Sequence, residues 1–224
     1  MTGFLEYDMG EGVRAFTAGR DIELPCPVVQ PHQTHSVNVA YVDRPDLTRE
    51  DLEGVDALVT DLPGVAIGVR TADCVPVLLF DPVHKAVGAA HSGWRGTVNM
   101  IVKKTVLEMC RLFGSHPEDI RAVIGPGIGI DSFQVGDDVA LVFKESGFPI
   151  DRVWSFCGAR KEGTMEGGHH IDLKECVRFS LTECGVPQGN ITVSDIDTYT
   201  DKRFYSARRE GASCGRNINA IILI

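Results

Sequence analysis

The sequence of 224 residues contains no apolar stretch that approaches the length of about 20 residues needed for a membrane-spanning helix. Its first residues show neither a basic leader nor an apolar run, which argues against a secretory signal. Basic residues are also scarce, with 22 lysines and arginines against 31 aspartates and glutamates, and the net charge is −9. Such a chain lacks the basic field that attracts nucleic acid or an anionic membrane. We therefore expect a soluble, cytoplasmic protein with neither of these partners.

A Cys-x-x-Cys pair is missing as well. The seven cysteines are odd in number and widely spaced, so the sequence predicts neither a disulfide scaffold nor a four-cysteine zinc site. Most of them are expected to be reduced, buried and apolar in character. A cysteine with a chemical role must therefore be identified from its neighbours in the sequence.

No repeat, low-complexity tract or flexible linker divides the chain, so we expect a single domain spanning residues 1–224. Runs rich in β-branched residues predict strands at residues 37–42, 57–60, 65–69, 75–80, 85–90, 121–124, 191–193 and 220–224. Apolar residues at helical spacing predict helices over residues 97–113, 137–145 and 172–184. The glycine-rich segment 157–170 is predicted to be a surface loop. The irregular alternation of these elements favours an α/β fold with one mixed β-sheet and packed helices.

The segment 71–91 contains two apolar runs around a turn and is predicted to form a β-hairpin. If Phe80 pairs with Lys85, the same register places Cys74 opposite His91, with Cβ atoms about 4.5–5.5 Å apart. A thiolate and an imidazole at that separation can reach one metal ion. A proline in the first strand could shift this register. A buried thiol beside a hydrogen-bonded imidazole is the alternative interpretation.

Five sequence motifs occur in an order that is typical of one protein family. They are Gln-Thr-His-Ser at 33–36, Thr-Ala-Asp-Cys-Val-Pro-Val at 71–77, Ala-His-Ser-Gly-Trp-Arg-Gly-Thr at 90–97, Ile-Gly-Pro-Gly-Ile-Gly at 124–129 and Phe-Tyr-Ser-Ala-Arg-Arg at 204–209. Together they resemble the YfiH-type family, whose members are called multicopper polyphenol oxidase, laccase-domain protein, peptidoglycan editing factor or purine nucleoside phosphorylase. The resemblance runs from Val13 onward and implies one compact, metal-binding catalytic α/β domain.

The resemblance also implies a metal, zinc in most interpretations with copper possible, bound by His35, Cys74 and His91. His32 lies outside the Gln-x-His pattern and is predicted to line the substrate pocket. Three protein ligands leave the fourth position of tetrahedral zinc open, which favours a catalytic metal over a structural one. Asp73 is the candidate proton shuttle, and a structural carboxylate that accepts backbone N–H groups is the alternative.

The substrates implied by the resemblance are purine nucleosides: phosphorolysis of adenosine, inosine and methylthioadenosine, and deamination of adenosine. An acidic chain must hold the phosphate dianion with local arginines. Arg95 is the first candidate, because residues 92–97 lead from a strand into a helix whose first N–H groups attract anions. Pairing of Arg95 with a surface acid is the alternative. Arg70, Arg20 and Arg208 follow in that order.

Three other functions stay open from the sequence: a copper-dependent, laccase-like polyphenol oxidase, hydrolytic editing of a peptidoglycan precursor, and a non-enzymatic protein with a structural zinc. The chain has no set of His-x-His pairs for a multinuclear copper cluster, which weighs against the oxidase. A fourth protein ligand, for example His32, would favour the structural zinc.

The sequence departs from the family pattern at three places. The Gly- and Asn-rich stretch expected between residues 20 and 33 is largely absent. Gly127 stands where the family has a cysteine after Gly-Pro, and Asp197 replaces the cysteine of a late Cys-Thr pair. These departures leave the pocket shape and the preferred nucleoside open, and the sequence does not define the oligomeric state.

Overall fold

Two β-sheets form the centre of the protein, as seen in a computed structural model that describes residues 3–158 and 167–224. The strands are β1 Phe4–Tyr7, β2 Val13–Ala18, β3 Val28–Val29, β4 Val39–Tyr41, β5 Ala57–Thr60, β6 Ala66–Thr71, β7 Val75–Asp81, β8 Ala86–Ser92, β9 Arg121–Ile124, β10 Gln134–Val135, β11 Trp154–Phe156, β12 His169–Ile171, β13 Ile191–Val193 and β14 Asn217–Leu223. The helices are α1 Trp94–Val98, α2 Ile101–Phe113, α3 Asp137–Glu145, α4 Ile150–Val153, α5 Leu173–Glu183 and α6 Ala207–Glu210.

The larger sheet has six strands in the order β13-β9-β7-β8-β5-β4 and mixes parallel and antiparallel pairs. Its central strands β7 and β8 are buried along their whole length. Val77 and Leu79 pack toward helices α2 and α5, whereas Leu78 and Phe80 pack toward the second sheet. This burial on both faces explains why the two strands are apolar over most of their length rather than alternating in polarity.

The second sheet has five strands in the order β1-β2-β14-β6-β3 and packs against the other face of the first. Ile67 and Ile221 of this sheet share one core cluster with Phe80 and Val87 of the central hairpin. The layers are therefore sheet, sheet and helices, with β10, β11 and β12 in a separate small sheet. The predicted α/β class is confirmed, although the mixed β-structure is divided among several sheets rather than one.

The central hairpin forms as predicted, but its register differs by two residues. Phe80 pairs with Val87, so the predicted position of Cys74 directly opposite His91 is wrong. Asp81 continues the strand, and its carboxylate accepts two backbone N–H groups of the loop at 2.8 and 3.0 Å. Such a side chain stabilises a turn that begins one residue later than expected.

The predicted helix over residues 97–113 is interrupted. Helix α1 ends at Val98 and is capped by Asn99, whose side-chain amide donates to the carbonyl oxygen of Arg95 at 2.8 Å. Met100 then adopts a left-handed conformation with φ of 62°, and α2 begins at Ile101. Because a methionine rarely adopts this conformation, the sequence contains no local signal for the break.

The other predicted helices are confirmed, including the cap of α5, where the Asp172 side chain accepts the backbone N–H of Glu175 at 2.9 Å. The predicted loop 157–170 is partly wrong, because His169 and His170 belong to a strand, while residues 159–166 lie outside the described residues. The sequence also missed the short strands β1, β2, β3, β10 and β11. Within the described residues, no helix is both long and apolar enough to cross a membrane.

Candidate metal centre and adjoining cavity

His35, Cys74 and His91 meet beside the open end of the central hairpin. Their potential ligand atoms all lie within 4.8 Å of one another. The Sγ atom of Cys74 is 3.9 Å from Nε2 of His35, and the two imidazole ring centres are 4.9 Å apart. The cluster combines a loop after β3, the turn between β6 and β7, and the end of β8. The three residues therefore come together as the sequence predicted, although the hairpin register is different.

Asp56 holds both histidines of this cluster in place. Its fully buried carboxylate accepts the backbone N–H groups of Thr34, His35 and Ser36 at 2.8 to 3.1 Å. The same carboxylate lies 2.7 Å from Nδ1 of His91. A carboxylate in this position orients the imidazole and leaves its Nε2 for a ligand. Sequence reasoning missed this residue, and the available signal was an aspartate at the start of an apolar strand.

The charges of Cys74 and His91 depend on each other. Burial alone would raise the pKa of the Cys74 thiol, but the positive charge of His91 and hydrogen bonds from both histidines outweigh it and lower the pKa to about 6. Burial alone would lower the pKa of His91, but the thiolate and Asp56 raise it to about 9. Without a metal, these opposite shifts favour a thiolate on Cys74 beside an imidazolium on His91.

The donor set fits a zinc or copper ion. One thiolate and two imidazoles are soft and borderline ligands that both metals accept. Gly93 supports this interpretation, because the absence of a side chain leaves the space beside the donor atoms open. A Cβ atom at this position would lie 2.9 Å from Cδ2 of His35 and 3.0 Å from Sγ of Cys74. Among the described residues, no further histidine, cysteine or acidic side chain joins the cluster. The cluster thus offers three candidate protein ligands, the number found in open catalytic zinc sites.

Asp73, the predicted proton shuttle, is engaged elsewhere. It is nine-tenths buried and has a positive φ of 83°. Its Oδ1 accepts the Thr198 hydroxyl at 2.8 Å, and its Oδ2 accepts the backbone N–H of Arg208 at 2.6 Å. Asp73 is not among the residues that line the cavity beside the cluster. This geometry favours the structural alternative, in which Asp73 braces the turn that carries Cys74.

A cavity of about 500 Å³ opens beside the cluster. Its other lining residues are His32, Gln33, Arg49, Arg70, Ala72, Ala207, Ala212, Ser213, Cys214 and Arg216. His32 lies at this cavity as predicted from the sequence, and its Nδ1 contacts the carboxylate of Glu53. Arg70, which directly precedes the 71–77 motif, was a candidate, whereas Arg49 and Arg216 border no family motif and were missed.

The other three candidate arginines do not line this cavity. The guanidinium of Arg95 stacks over the Trp94 ring at 4.3 Å. Arg20 pairs with the carboxylate of Glu210 at 2.6 Å. Arg208 donates to the backbone carbonyl of Gln134 at 3.0 Å and lines a separate cavity of about 430 Å³. Of the arginines selected from the sequence, the structure therefore brings only Arg70 to the cavity.

Two of the departures from the family pattern lie side by side. Gly127 and Asp197 are partners in an isolated parallel β-bridge. The Asp197 carboxylate accepts the Ser132 hydroxyl at 2.6 Å and the backbone N–H of Tyr199 at 2.9 Å. The aspartate therefore satisfies nearby polar groups. Gly127 and Asp197 therefore lie next to the turn that contains Asp73, since the amide of Ile128 donates to the Asp73 carbonyl at 2.8 Å. The two departures affect a structural contact of that turn.

The fold and this site define the class of protein. The chain belongs to the family described as multi-copper polyphenol oxidoreductase laccase, whose model matches residues 13–224. The crystal structure of YfiH from Bacillus licheniformis has a TM-score of 0.83 at 30% identity, over 95% of this chain and 93% of that one. A Neisseria meningitidis structure has a TM-score of 0.82 at 27% identity, over 99% of both chains. The resemblance predicted from the motifs is confirmed.

The names of several relatives specify an activity, among them a phosphorylase and a deaminase. A purine nucleoside phosphorylase of Bacteroides thetaiotaomicron is 43% identical over 208 residues, which cover 90% of this chain and 75% of that protein. Adenosine deaminase RL5, from an unknown prokaryotic organism, is 43% identical over 201 residues, which cover 87% of this chain and 74% of that protein. These similarities support an enzyme of this family.

Proposed function

We propose that this protein is a zinc-dependent purine nucleoside enzyme. It catalyses phosphorolysis of adenosine, inosine and methylthioadenosine, and deamination of adenosine. The observation that carries the proposal is the cluster of His35, Cys74 and His91 beside a cavity of about 500 Å³, a volume typical of small-molecule sites. The names of the two relatives supply the substrate class.

A bound zinc ion would supply Lewis-acid activation of a water molecule or a substrate oxygen. The chain itself holds the ligands: Asp56 fixes the ring of His91 and the backbone of His35. The small side chains of Ala72 and Ala207 leave room along the cavity wall for a flat base. Binding and orientation of the nucleoside are therefore assigned to this cavity.

Both reactions also need a group that moves a proton, because the purine that leaves in phosphorolysis and the ammonia that leaves in deamination each depart more readily when protonated. Among the described residues that line the cavity, His32 is the imidazole outside the metal cluster. Its contact with the Glu53 carboxylate orients the ring. We assign the proton transfer to His32 instead of Asp73, whose carboxylate oxygens are already bonded.

Product analysis after incubation of the purified protein with adenosine, with and without phosphate, tests this proposal. Free adenine only in the presence of phosphate demonstrates phosphorolysis, and inosine in either condition demonstrates deamination. A Cys74→Ala variant in parallel separates the activity of this site from contamination. Absence of both products with a fully metal-loaded protein contradicts the proposal.

A copper-dependent oxidase of phenols is the second candidate, because the family description refers to this activity. The described residues contain one cluster of metal-binding type, whereas a multinuclear copper centre needs several. Elemental analysis of protein purified without added copper, joined to oxygen uptake with a phenol, distinguishes the two. Stoichiometric copper with turnover would replace the zinc proposal. Hydrolytic editing of a peptidoglycan precursor needs room for a larger substrate.

A further inference from the structure

We infer that Arg49, Arg70 and Arg216 form a binding site for inorganic phosphate beside the His35–Cys74–His91 cluster. The inference rests on the proposed function, because phosphorolysis needs a phosphate dianion next to the nucleoside. It assigns that dianion to three side chains, of which two, Arg49 and Arg216, were not among the candidates selected from the sequence.

The charge inside the cavity is opposite to that of the protein as a whole. The net charge of the chain is −9, yet the described residues that line the cavity include three arginines and neither aspartate nor glutamate. A concave site with an excess of one sign of charge concentrates ligands of the opposite sign. The cavity therefore favours an anion, although the net charge of the chain is negative.

Arg70 provides the clearest evidence, because its charge is half-buried and no acidic side chain in the described part of the chain neutralises it. Both its backbone N–H and its carbonyl oxygen are bound by the Gln33 side chain at 2.8 Å, which fixes the position of the residue. Within the described residues, its guanidinium has no hydrogen bond or ion pair to an acidic side chain. Burial, followed by the charges of Arg49 and Arg216, lowers the pKa of Arg70. An anionic ligand would relieve that cost.

The other two arginines approach from separate segments of the chain. Arg216 precedes β14, and its guanidinium is held by the carbonyl oxygens of Ala212 at 2.8 Å and Gly215 at 3.0 Å. Arg49 lies on the exposed loop between β4 and β5. A guanidinium that is held in advance loses little entropy when it binds an oxyanion. The loop thus fixes the guanidinium of Arg216, whereas the exposed side chain of Arg49 can change its conformation to reach a ligand.

Arginines outside the cavity show how the chain neutralises charge where no ligand is expected. Arg14 pairs with Glu6 at 2.7 Å, and Arg203 pairs with Asp201 at 2.6 Å. The cavity arginines repel one another instead. A tetrahedral dianion offers acceptor oxygens in several directions, which suits a cavity lined by arginines from three separate segments of the chain.

Titration calorimetry with inorganic phosphate tests the site directly on the purified, metal-containing protein. Arg70→Gln and Arg49→Gln should each raise the phosphate Kd about tenfold or more, and the double variant about 100-fold, since each removes a charged hydrogen-bond donor. Arg44→Gln is the matched control, because Arg44 lies on the same loop as Arg49 and its partners are Asp43 and Asp46. Its phosphate Kd should equal that of the parent. Metal content and thermal unfolding verify that each variant is intact.

Two further binding experiments identify the anion that the site prefers. Sulfate should compete with phosphate, because it has the same shape and charge. Adenosine 5′-monophosphate presents the same chemistry as part of a nucleotide, and tighter binding of this compound than of phosphate, lost in the same variants, would overturn the assignment to inorganic phosphate. An unchanged phosphate Kd in the Arg49/Arg70 double variant would remove the site altogether.

The same measurements separate this inference from the proposed function. If the parent protein binds phosphate through these arginines but converts no nucleoside, the phosphate site is supported and the proposed function is contradicted. If adenine release depends on phosphate with the same phosphate KM in the parent and the double variant, the proposed function is supported and the phosphate site is contradicted.

Discussion

Asp56 and Asp73 are both buried and both accept backbone N–H groups, yet they support the cluster of His35, Cys74 and His91 in different ways. Asp56 contacts a ligand side chain directly, through Nδ1 of His91. Asp73 contacts Thr198 and the backbone of Arg208, and reaches the cluster only through the chain that continues to Cys74. The comparison shows that a carboxylate next to a ligand in sequence can be structural, whereas a distant one can tune the site.

The largest expected effect is a loss of metal, and it comes from replacing Cys74, the residue that follows Asp73 in the chain. Cys74→Ala removes the thiolate and leaves two imidazoles, so we expect metal occupancy to fall to a small fraction of the parent value. Elemental analysis after dialysis measures it. Cys214→Ala is the control, because Cys214 lines the same cavity but lies outside the cluster, and it should keep full occupancy. Full occupancy in Cys74→Ala would remove the cysteine from the site.

The next test compares the two aspartates themselves. Asp56→Asn should lower zinc affinity about 10–100-fold, because it weakens the partner of a ligating imidazole. Asp73→Asn should leave zinc affinity near the parent value while lowering the free energy of unfolding by about 1.5–3 kcal/mol. Competition with a chromophoric chelator and urea unfolding provide the two readouts. Equal losses of zinc affinity would abolish the distinction between the two residues.

The pH dependence of metal binding sharpens the role of Asp56. With the pKa of Cys74 lowered to about 6 and that of His91 raised to about 9, the metal-free pair holds one proton between those values, on the imidazole. Metal must displace that proton, so affinity should rise about tenfold per pH unit between about pH 7 and 8.5. Asp56→Asn removes a group that raises the His91 pKa, and the slope should become shallower. A slope of zero in the parent contradicts the coupled charges.

The smallest effect is expected on the Asp73 side. Thr198→Val removes the buried hydroxyl that donates to Asp73 Oδ1 at 2.8 Å. We expect a loss of about 1–2 kcal/mol in the free energy of unfolding, because Oδ1 of Asp73 loses the hydroxyl that donates a hydrogen bond to it. Metal occupancy should stay at the parent level. A clear loss of metal in this variant would show that Asp73 controls the cluster as strongly as Asp56 does.

Local patterns in the sequence were sufficient for much of the fold. Strand β5, helix α3 and the capped helix α5 follow from β-branched runs, apolar spacing and the Asp172 cap, all of which act over a few residues. The break at Met100 and the shifted turn at Asp81 did not follow, because side-chain hydrogen bonds and packing decided them.

The sequence by itself determined the family, the presence of the central hairpin and the grouping of His35, Cys74 and His91, since these follow from motifs and short-range patterns. Only the tertiary structure decided which polar residues surround that cluster. Arg49, Arg70 and Arg216 are far apart in the chain and share no motif, so sheet packing and two loops were needed to bring their charges to one cavity. Asp56 joined the site for the same reason, because β5 pairs with β8 and places it beside His91.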